Sequence, residues 1–217
     1  MRRLWAKWRP LLKFGGSRDY WQQRYRRGGD SGIGSGGESA RYKAELLNAF
    51  VSKFGIRSVV EFGCGDGRQL TLAQYPAYLG LDISHDAIAL CTERFAGDPS
   101  KCFGLVEEHP GARADLAISL DVLFHLVEDE VYNHYLARLF DAGSGFVAIF
   151  TSDEPDAARA LPHVRHRPVS QDIARNFPGF IAFDPGLQLS SAPPEPHDVP
   201  MKFLFYRRST VPPQAAP

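Results

Sequence analysis

Seven residues, Glu61-Phe62-Gly63-Cys64-Gly65-Asp66-Gly67, restrict the fold of this chain more than any other stretch. They follow Ser58-Val59-Val60, so a β-branched, apolar strand runs directly into a turn with glycine at every second position. Without a Cβ, such a turn takes backbone conformations closed to other residues and lies close against another molecule. A turn of this kind at the carboxyl end of a first strand is where open α/β sheets bind their ligands.

The flanking pattern agrees with that architecture. Glu38 to Phe54 reads as a helix, with Tyr42, Leu46, Phe50 and Phe54 at helical spacing and Gly55 as its stop. Past the turn, GRQLTLAQ reads as a short helix and YLGLDI as a second strand. Ser84 caps a helix that turns Ala87, Ile88, Cys91 and Phe95 inward. A third strand is expected near Cys102 to Val106 and a fourth at DLAISL. Val131, Tyr135 and Leu139 mark another helix, and FVAIFT is the fifth strand. GFIAFD and MKFLFYRR form a terminal antiparallel pair across the proline-rich loop SSAPPEPHDVP. Strands apolar on both faces, alternating with helices, mean an α/β protein whose parallel sheet is covered by helices on both faces.

The glycine spacing then discriminates between ligands. A dinucleotide fingerprint reads GxGxxG, whereas here it is GxGxG with an acid, Glu61, two residues before the first glycine. A carboxylate there repels phosphate and suits a cationic amino group. Asp82, twenty-one residues after Glu61, ends the second strand where a carboxylate accepts both hydroxyls of a ribose. An ammonium, a ribose and no phosphate describe S-adenosyl-L-methionine.

From Ser58 to Thr151 the chain resembles the class I S-adenosylmethionine-dependent methyltransferases, in the turn VVEFGCGDG, the acid of LGLDIS and the segment ADLAISLDVLFHL. The resemblance implies a Rossmann-like seven-stranded sheet, ordered 3-2-1-4-5-7-6 with the last strand antiparallel. It also implies that Gly63, Gly65 and Gly67 pass under the methionine part and thioether, that Asp82 holds the ribose, and that Ile83 packs on adenine. Cys64, inside the turn, belongs to the cofactor-binding set as a small filler rather than a nucleophile. The acid that contacts adenine after the third strand is left between Glu107 and Glu108. The segment YWQQRYRRGGDSGIGSGGESARYKAELLNAF is similar to a subgroup of bacterial methyltransferases associated with cell-surface glycan genes.

Methyl transfer requires alignment of the acceptor, exclusion of water and, for a hydroxyl acceptor, a base. Asp121 and His125 follow the fourth strand at i, i+4 spacing; His125 is the expected base, and Asp121 the group that orients it or the methionine portion. His163, Arg165 and His166 lie in HVRHR after the fifth strand, on a loop expected to overhang the same edge and bind the acceptor. Asp121, His125 and one of those histidines form an alternative divalent-metal set, although no metal is called for. Gly34 and Ser35, with Tyr25 and Lys43, would close a glycine-rich lid over the cofactor. The expected acceptor is a small hydroxylated molecule, a sugar foremost. The alternative is a catalytically silent cofactor-binding partner that docks through its N-terminus.

Charge and composition bound the remainder. Up to Arg27 nine cations face one acid, Asp19, a net charge of +8 that leaves −8 on the rest of the chain. The expected division is a basic arm and lid loop over 1–37, a methyltransferase domain over 38–209 and a tail over 210–217. Among the early cations, Leu4, Trp5, Trp8, Leu11, Leu12 and Phe14 would suit weak contact with an anionic membrane surface. The acidic body argues against nucleic acid. Three cysteines without a CxxC pair, and no long apolar run, fit a cytoplasmic protein, at most peripheral to the inner membrane. Oligomeric state is not legible.

Overall fold

The computed structural model describes residues 14–155, 161–189 and 199–209. The expectations for residues 1–13 and for the tail from residue 210 lie outside the described residues. In chain order the elements are α1 (Ser17–Arg26), α2 (Gly37–Phe54), β1 (Val59–Phe62), β2 (Tyr78–Asp82), α3 (His85–Arg94), β3 (Lys101–Leu105), β4 (Ala114–Leu120), α4 (Asp129–Ala142), β5 (Gly143–Ser152), α5 (Val169–Asn176), β6 (Phe180–Ala182) and β7 (Met201–Arg208). They form a seven-stranded sheet ordered β3-β2-β1-β4-β5-β7-β6. β1 pairs in parallel with β2 (Val59 opposite Tyr78) and with β4 (Val59 opposite Leu116), while β7 runs antiparallel to both β5 and β6. This is the sheet the resemblance implied.

Side-chain alternation divides the core into two. Val59, Tyr78, Leu116, Ile118, Phe150 and Phe205 face α2, whose Leu47 and Phe50 are wholly buried against them. Val60, Phe62, Leu81, Ala117, Val147 and Ile149 face the opposite way, onto Leu136, Leu139 and Phe140 of α4 and Ile173 of α5. Each such large apolar side chain contributes roughly 1.5–3 kcal/mol by leaving water. Gly55 ends α2 in the left-handed conformation, φ 62°.

Local departures have local causes. Residues 69–72 form a 3-10 turn rather than an α-helix, because Ala73 is already extended and the chain must enter β2 at Tyr78. The third strand begins at Lys101, one residue earlier than expected, and leaves Cys102 exposed. In α4 the buried stripe is Tyr132, Leu136, Leu139 and Phe140; Val131 is 43% exposed because it faces an open cavity instead of the sheet.

The largest departure is α1. Residues 17–26 are not a free arm but a helix docked over the carboxyl edge of the sheet. Ser17 donates through its backbone N to Glu128 Oε1 (2.9 Å) and through Oγ to Oε2 (2.6 Å), and its Oγ accepts from Val127 N (3.0 Å). Gln22 Nε2 donates to Ile83 O at 3.1 Å. Tyr25 is buried, Trp21 meets His125 edge-on with centroids 4.8 Å apart, and Tyr20 stacks on His163 at 4.4 Å. Ser17, Trp21 and Tyr25 recur at i, i+4, a helical period in the sequence overshadowed by the intervening arginines.

Candidate functional site

The parallel strands β1, β2 and β4 end side by side, and the turns leaving them build the site. Gly63, Gly65 and Gly67 take φ of 79°, 58° and 74°, which only glycine adopts without strain. The turn is fixed from below, since Gly63 N and Cys64 N both donate to Leu81 O, at 2.7 and 3.1 Å. A Cβ on Gly67 would sit 3.0 Å from Cys91 Sγ and from the Phe95 ring, so this glycine lets α3 approach closely. Asp82 is buried and held in one orientation by Gly65 N (3.0 Å) and Ser84 N (2.9 Å); burial raises its carboxyl above the ordinary range.

Above this edge lies a cavity of about 410 Å³, within the size range of small-molecule sites. Glu61, Asp82, Ile83 and Glu107 line it from the strand ends, Lys43 from α2, and Trp21 and Tyr25 from α1. Glu107, not Glu108, reaches the cavity after β3, and it pairs with Arg18 of α1. The loop before α2 is stitched to the glycine turn: Ser31 Oγ donates to Asp66 Oδ1 (2.8 Å), accepts from Asp66 N (2.9 Å) and lies 2.9 Å from the Tyr25 hydroxyl. Asp66 therefore anchors the loop to the turn.

Charges concentrate at one end. Glu61 is buried and accepts a 2.6 Å hydrogen bond from the Tyr78 hydroxyl. Burial pushes its carboxyl up to about 7, against the opposing pulls of that hydrogen bond and of Lys43. Lys43 is 1% exposed and pairs with Asp121. Asp121 is the one non-glycine residue with positive φ among those described, 59°, a strained conformation of the kind that collects at functional sites. Gly34 sits so close to the Asp121 carboxylate that a Cβ there would collide with it.

His125 lies on the cavity wall between Trp21 and His163. Its Nδ1 donates to His163 O at 3.1 Å, and desolvation lowers its pKa to about 4, so the ring is neutral at neutral pH with Nε2 unprotonated.

Of the residues singled out in the sequence, Glu61, Gly63, Cys64, Gly65, Asp82, Ile83, Asp121, His125 and Ser35 line this one cavity; Gly67 lies beneath the turn and Gly34 behind Asp121. His163, Arg165 and His166 do not line it. The His163 ring is stacked between Tyr20 and His125, Arg165 binds Val127 O and Asp129, and His166 faces Ser152 and Phe124. Arg167 is buried and makes the same kind of bond, to Leu126 O at 2.6 Å and Val127 O at 3.0 Å. Among the described residues no group of three His, Cys, Asp or Glu is placed to hold a metal ion. No helix among them is long and apolar enough to cross a membrane. Residues that sequence reasoning passed over include Ser17, Trp21, Ser31 and Gln69, whose roles depend on α1 and the lid loop folding back.

Residues 60–148 match the family model described as a methyltransferase domain. Among curated proteins no sequence matches the chain. The magnesium protoporphyrin IX methyltransferase of Synechocystis PCC 6803, solved with bound S-adenosylhomocysteine, is similar at TM-score 0.63 and 19% identity, over 88% of this chain and 98% of that one. The N-methyltransferase NodS of Bradyrhizobium japonicum WM9, also with S-adenosylhomocysteine, aligns at TM-score 0.65 and 14% identity over 89% and 98%. The cyclase SpnF aligns at 0.56 and 15% over 78% and 75%. At such identities the likeness is one of fold, and the fold carries more than one chemistry.

Proposed function

We propose that this chain, whose residues 60–148 match a methyltransferase domain, is an S-adenosylmethionine-dependent methyltransferase that transfers a methyl to an oxygen of a small hydroxylated acceptor, a sugar among the candidates, with His125 as proton acceptor. The donor set of the cavity suits this cofactor better than a dinucleotide. Its cations are already engaged, Lys43 by Asp121, Arg18 by Glu107 and Arg138 by His109 O, whereas buried Glu61 and Asp82 would repel a pyrophosphate. Asp82 supplies carboxylate oxygens for ribose hydroxyls, Glu61 an anionic partner for an ammonium, and Glu107 an acceptor for an exocyclic amine. When bound, S-adenosylmethionine supplies an electrophilic methyl group.

The observation that carries the oxygen-acceptor reading is His125 itself. With Nδ1 tied to His163 O, Nε2 is left as the lone-pair atom of a neutral ring on the cavity wall. A hydroxyl becomes strongly acidic as its oxygen gains a carbon, so even an imidazole of low basicity takes that proton. Ser17, Arg18, Trp21 and Tyr25 of α1 line the same space. The HVRHR loop contributes by holding His125 through His163 O rather than by touching the acceptor.

The test is release of S-adenosylhomocysteine across a panel of sugars, phenols and amines. His125→Ala should lower kcat by roughly 10²–10⁴-fold with S-adenosylhomocysteine affinity unchanged. Turnover of amines alone, or a kcat indifferent to His125, would refute oxygen transfer through this base. Cofactor binding without turnover of any acceptor would favour the silent-partner reading.

A further inference from the structure

The chain is lopsided in charge, +8 up to Arg27 and −8 beyond it. Residues 1–13, outside the described residues, hold Arg2, Arg3, Lys7, Arg9 and Lys13 and no acid. Leu4, Trp5, Trp8, Leu11 and Leu12 are interleaved with those cations, so two of the three tryptophans of the chain stand in this stretch. Such a mixture suits the boundary between lipid headgroups and acyl chains, where tryptophan rings settle and each basic side chain gains from anionic lipid. A nucleic acid would use the cations and stack on the indoles, but it would leave the leucines in water.

The structure shows where that stretch joins the cavity. The Phe14 ring lies 6.4 Å from that of Tyr20, Tyr20 stacks on His163 at 4.4 Å, and His163 O holds His125. Ser17 is fastened to Glu128 and Val127. Residues 1–13 are therefore tethered at the rim of the cavity, beside His125. Two loops of the same edge each expose an aliphatic side chain: Ile33, 81% exposed, precedes Gly34 and Ser35, and Leu161, 50% exposed, precedes His163. Arg26 and Arg27, at the end of α1, are exposed as well. Single exposed aliphatics are ordinary, but these two stand on the edge that tethers a tryptophan- and leucine-bearing basic stretch. The remainder of the chain, at −8, is repelled by an anionic surface, so the field of the molecule turns this edge toward it.

We propose that the segment up to Arg27 docks the protein on an anionic lipid bilayer, with Ile33 and Leu161 meeting the headgroups, so that the rim beside His125 faces the membrane. Apolar side chains and cations then act together, each too weak alone to hold a soluble domain at the surface.

Co-sedimentation of the full chain with vesicles tests this, comparing phosphatidylcholine alone with phosphatidylcholine carrying about one-third phosphatidylglycerol. The anionic vesicles should bind at least about tenfold more tightly, and salt at about 0.5 M should remove most of that difference. Lys7→Glu with Arg9→Glu, and separately Trp5→Ser with Trp8→Ser, should each weaken binding to the anionic vesicles about tenfold or more, with Tm unchanged. In Trp21→Phe, whose remaining tryptophans are Trp5 and Trp8, the fluorescence should shift to the blue on binding. Ile33→Asp and Leu161→Asp should each weaken binding at least about threefold. Equal binding to both kinds of vesicle, an unshifted fluorescence, or a double variant that binds like the wild type would each overturn the docking. So would a single-stranded oligonucleotide that binds as tightly as the vesicles, which would assign the charge to nucleic acid. Wild-type binding in both Ile33→Asp and Leu161→Asp would overturn the orientation. S-adenosylhomocysteine binding without vesicle binding overturns the docking and leaves the cofactor reading standing, and the reverse result overturns the cofactor reading alone.

Discussion

Replacing Glu61 by Gln should make the free protein more stable and its cofactor site weaker, and the size of each effect follows from burial. In the folded chain the carboxyl holds its proton up to about 7 instead of the ordinary 4.5. Between those values the folded state binds the proton and the unfolded state does not, so stability is greatest below about 4.5 and falls as pH rises toward 7. The full cost above pH 7 is on the order of 3 kcal/mol, from the per-unit conversion. Gln keeps an oxygen for the Tyr78 hydroxyl, and since the value of about 7 already includes the pull of Lys43, the net gain is about 3 kcal/mol, or roughly 6–12 °C in Tm, at pH 8. The gain should shrink toward zero at pH 5. Thermal melts at both pH values measure it. Calorimetry should show wild-type affinity for S-adenosylhomocysteine rising about tenfold from pH 6 to 8 as Glu61 ionises, and Glu61→Gln both weaker and flat across that range. A variant with a lower Tm at pH 8, or one that keeps the wild-type pH dependence, would show that Glu61 is no buried charge awaiting a cation.

Other perturbations separate site from scaffold. Gly65→Ala places a Cβ against Ser31 Oγ and 2.7 Å from the Tyr25 hydroxyl, at φ 58°, so it adds roughly 1–2 kcal/mol of backbone strain and lifts the stitch between lid and turn. S-adenosylhomocysteine affinity should fall at least tenfold by calorimetry, and a value within twofold of wild type would mean the stitch does not shape the site. Phe50→Ala removes a wholly buried ring that stacks on Phe205 at 5.0 Å and meets Phe54 at 4.5 Å. It should cost about 3–5 kcal/mol, a drop of roughly 10 °C in Tm, with the affinity of any still-folded protein unchanged.

The sheet and the placing of Glu61, the glycine turn and Asp82 on one cavity were legible because both are written in short segments. Apolar runs in regular alternation with helical periods define strands and their covering helices whatever the distant sequence does, and the acids Glu61 and Asp82 are fixed to strand ends by their neighbours in the chain. The family resemblance supplied the strand order, which alternation alone does not dictate. The HVRHR loop was misleading for a physical reason: a run of cations read alone looks available, yet folding turns Arg165 and Arg167 onto the carbonyls around residue 127 and onto Asp129.

What the sequence determined by itself was therefore the α/β alternation, the glycine turn and the kind of molecule its two acids would tolerate. Only the tertiary structure decided that Ser17–Arg26 covers the cavity, that Lys43 is paired with Asp121, that the imidazole of His125 is pinned through His163 and that Gln69 is bonded to Ala40. Each of those contacts joins residues at least twenty-nine positions apart. Local preference acts through adjacent backbone and one or two helical turns, so groups at such separations meet only once the whole core has closed.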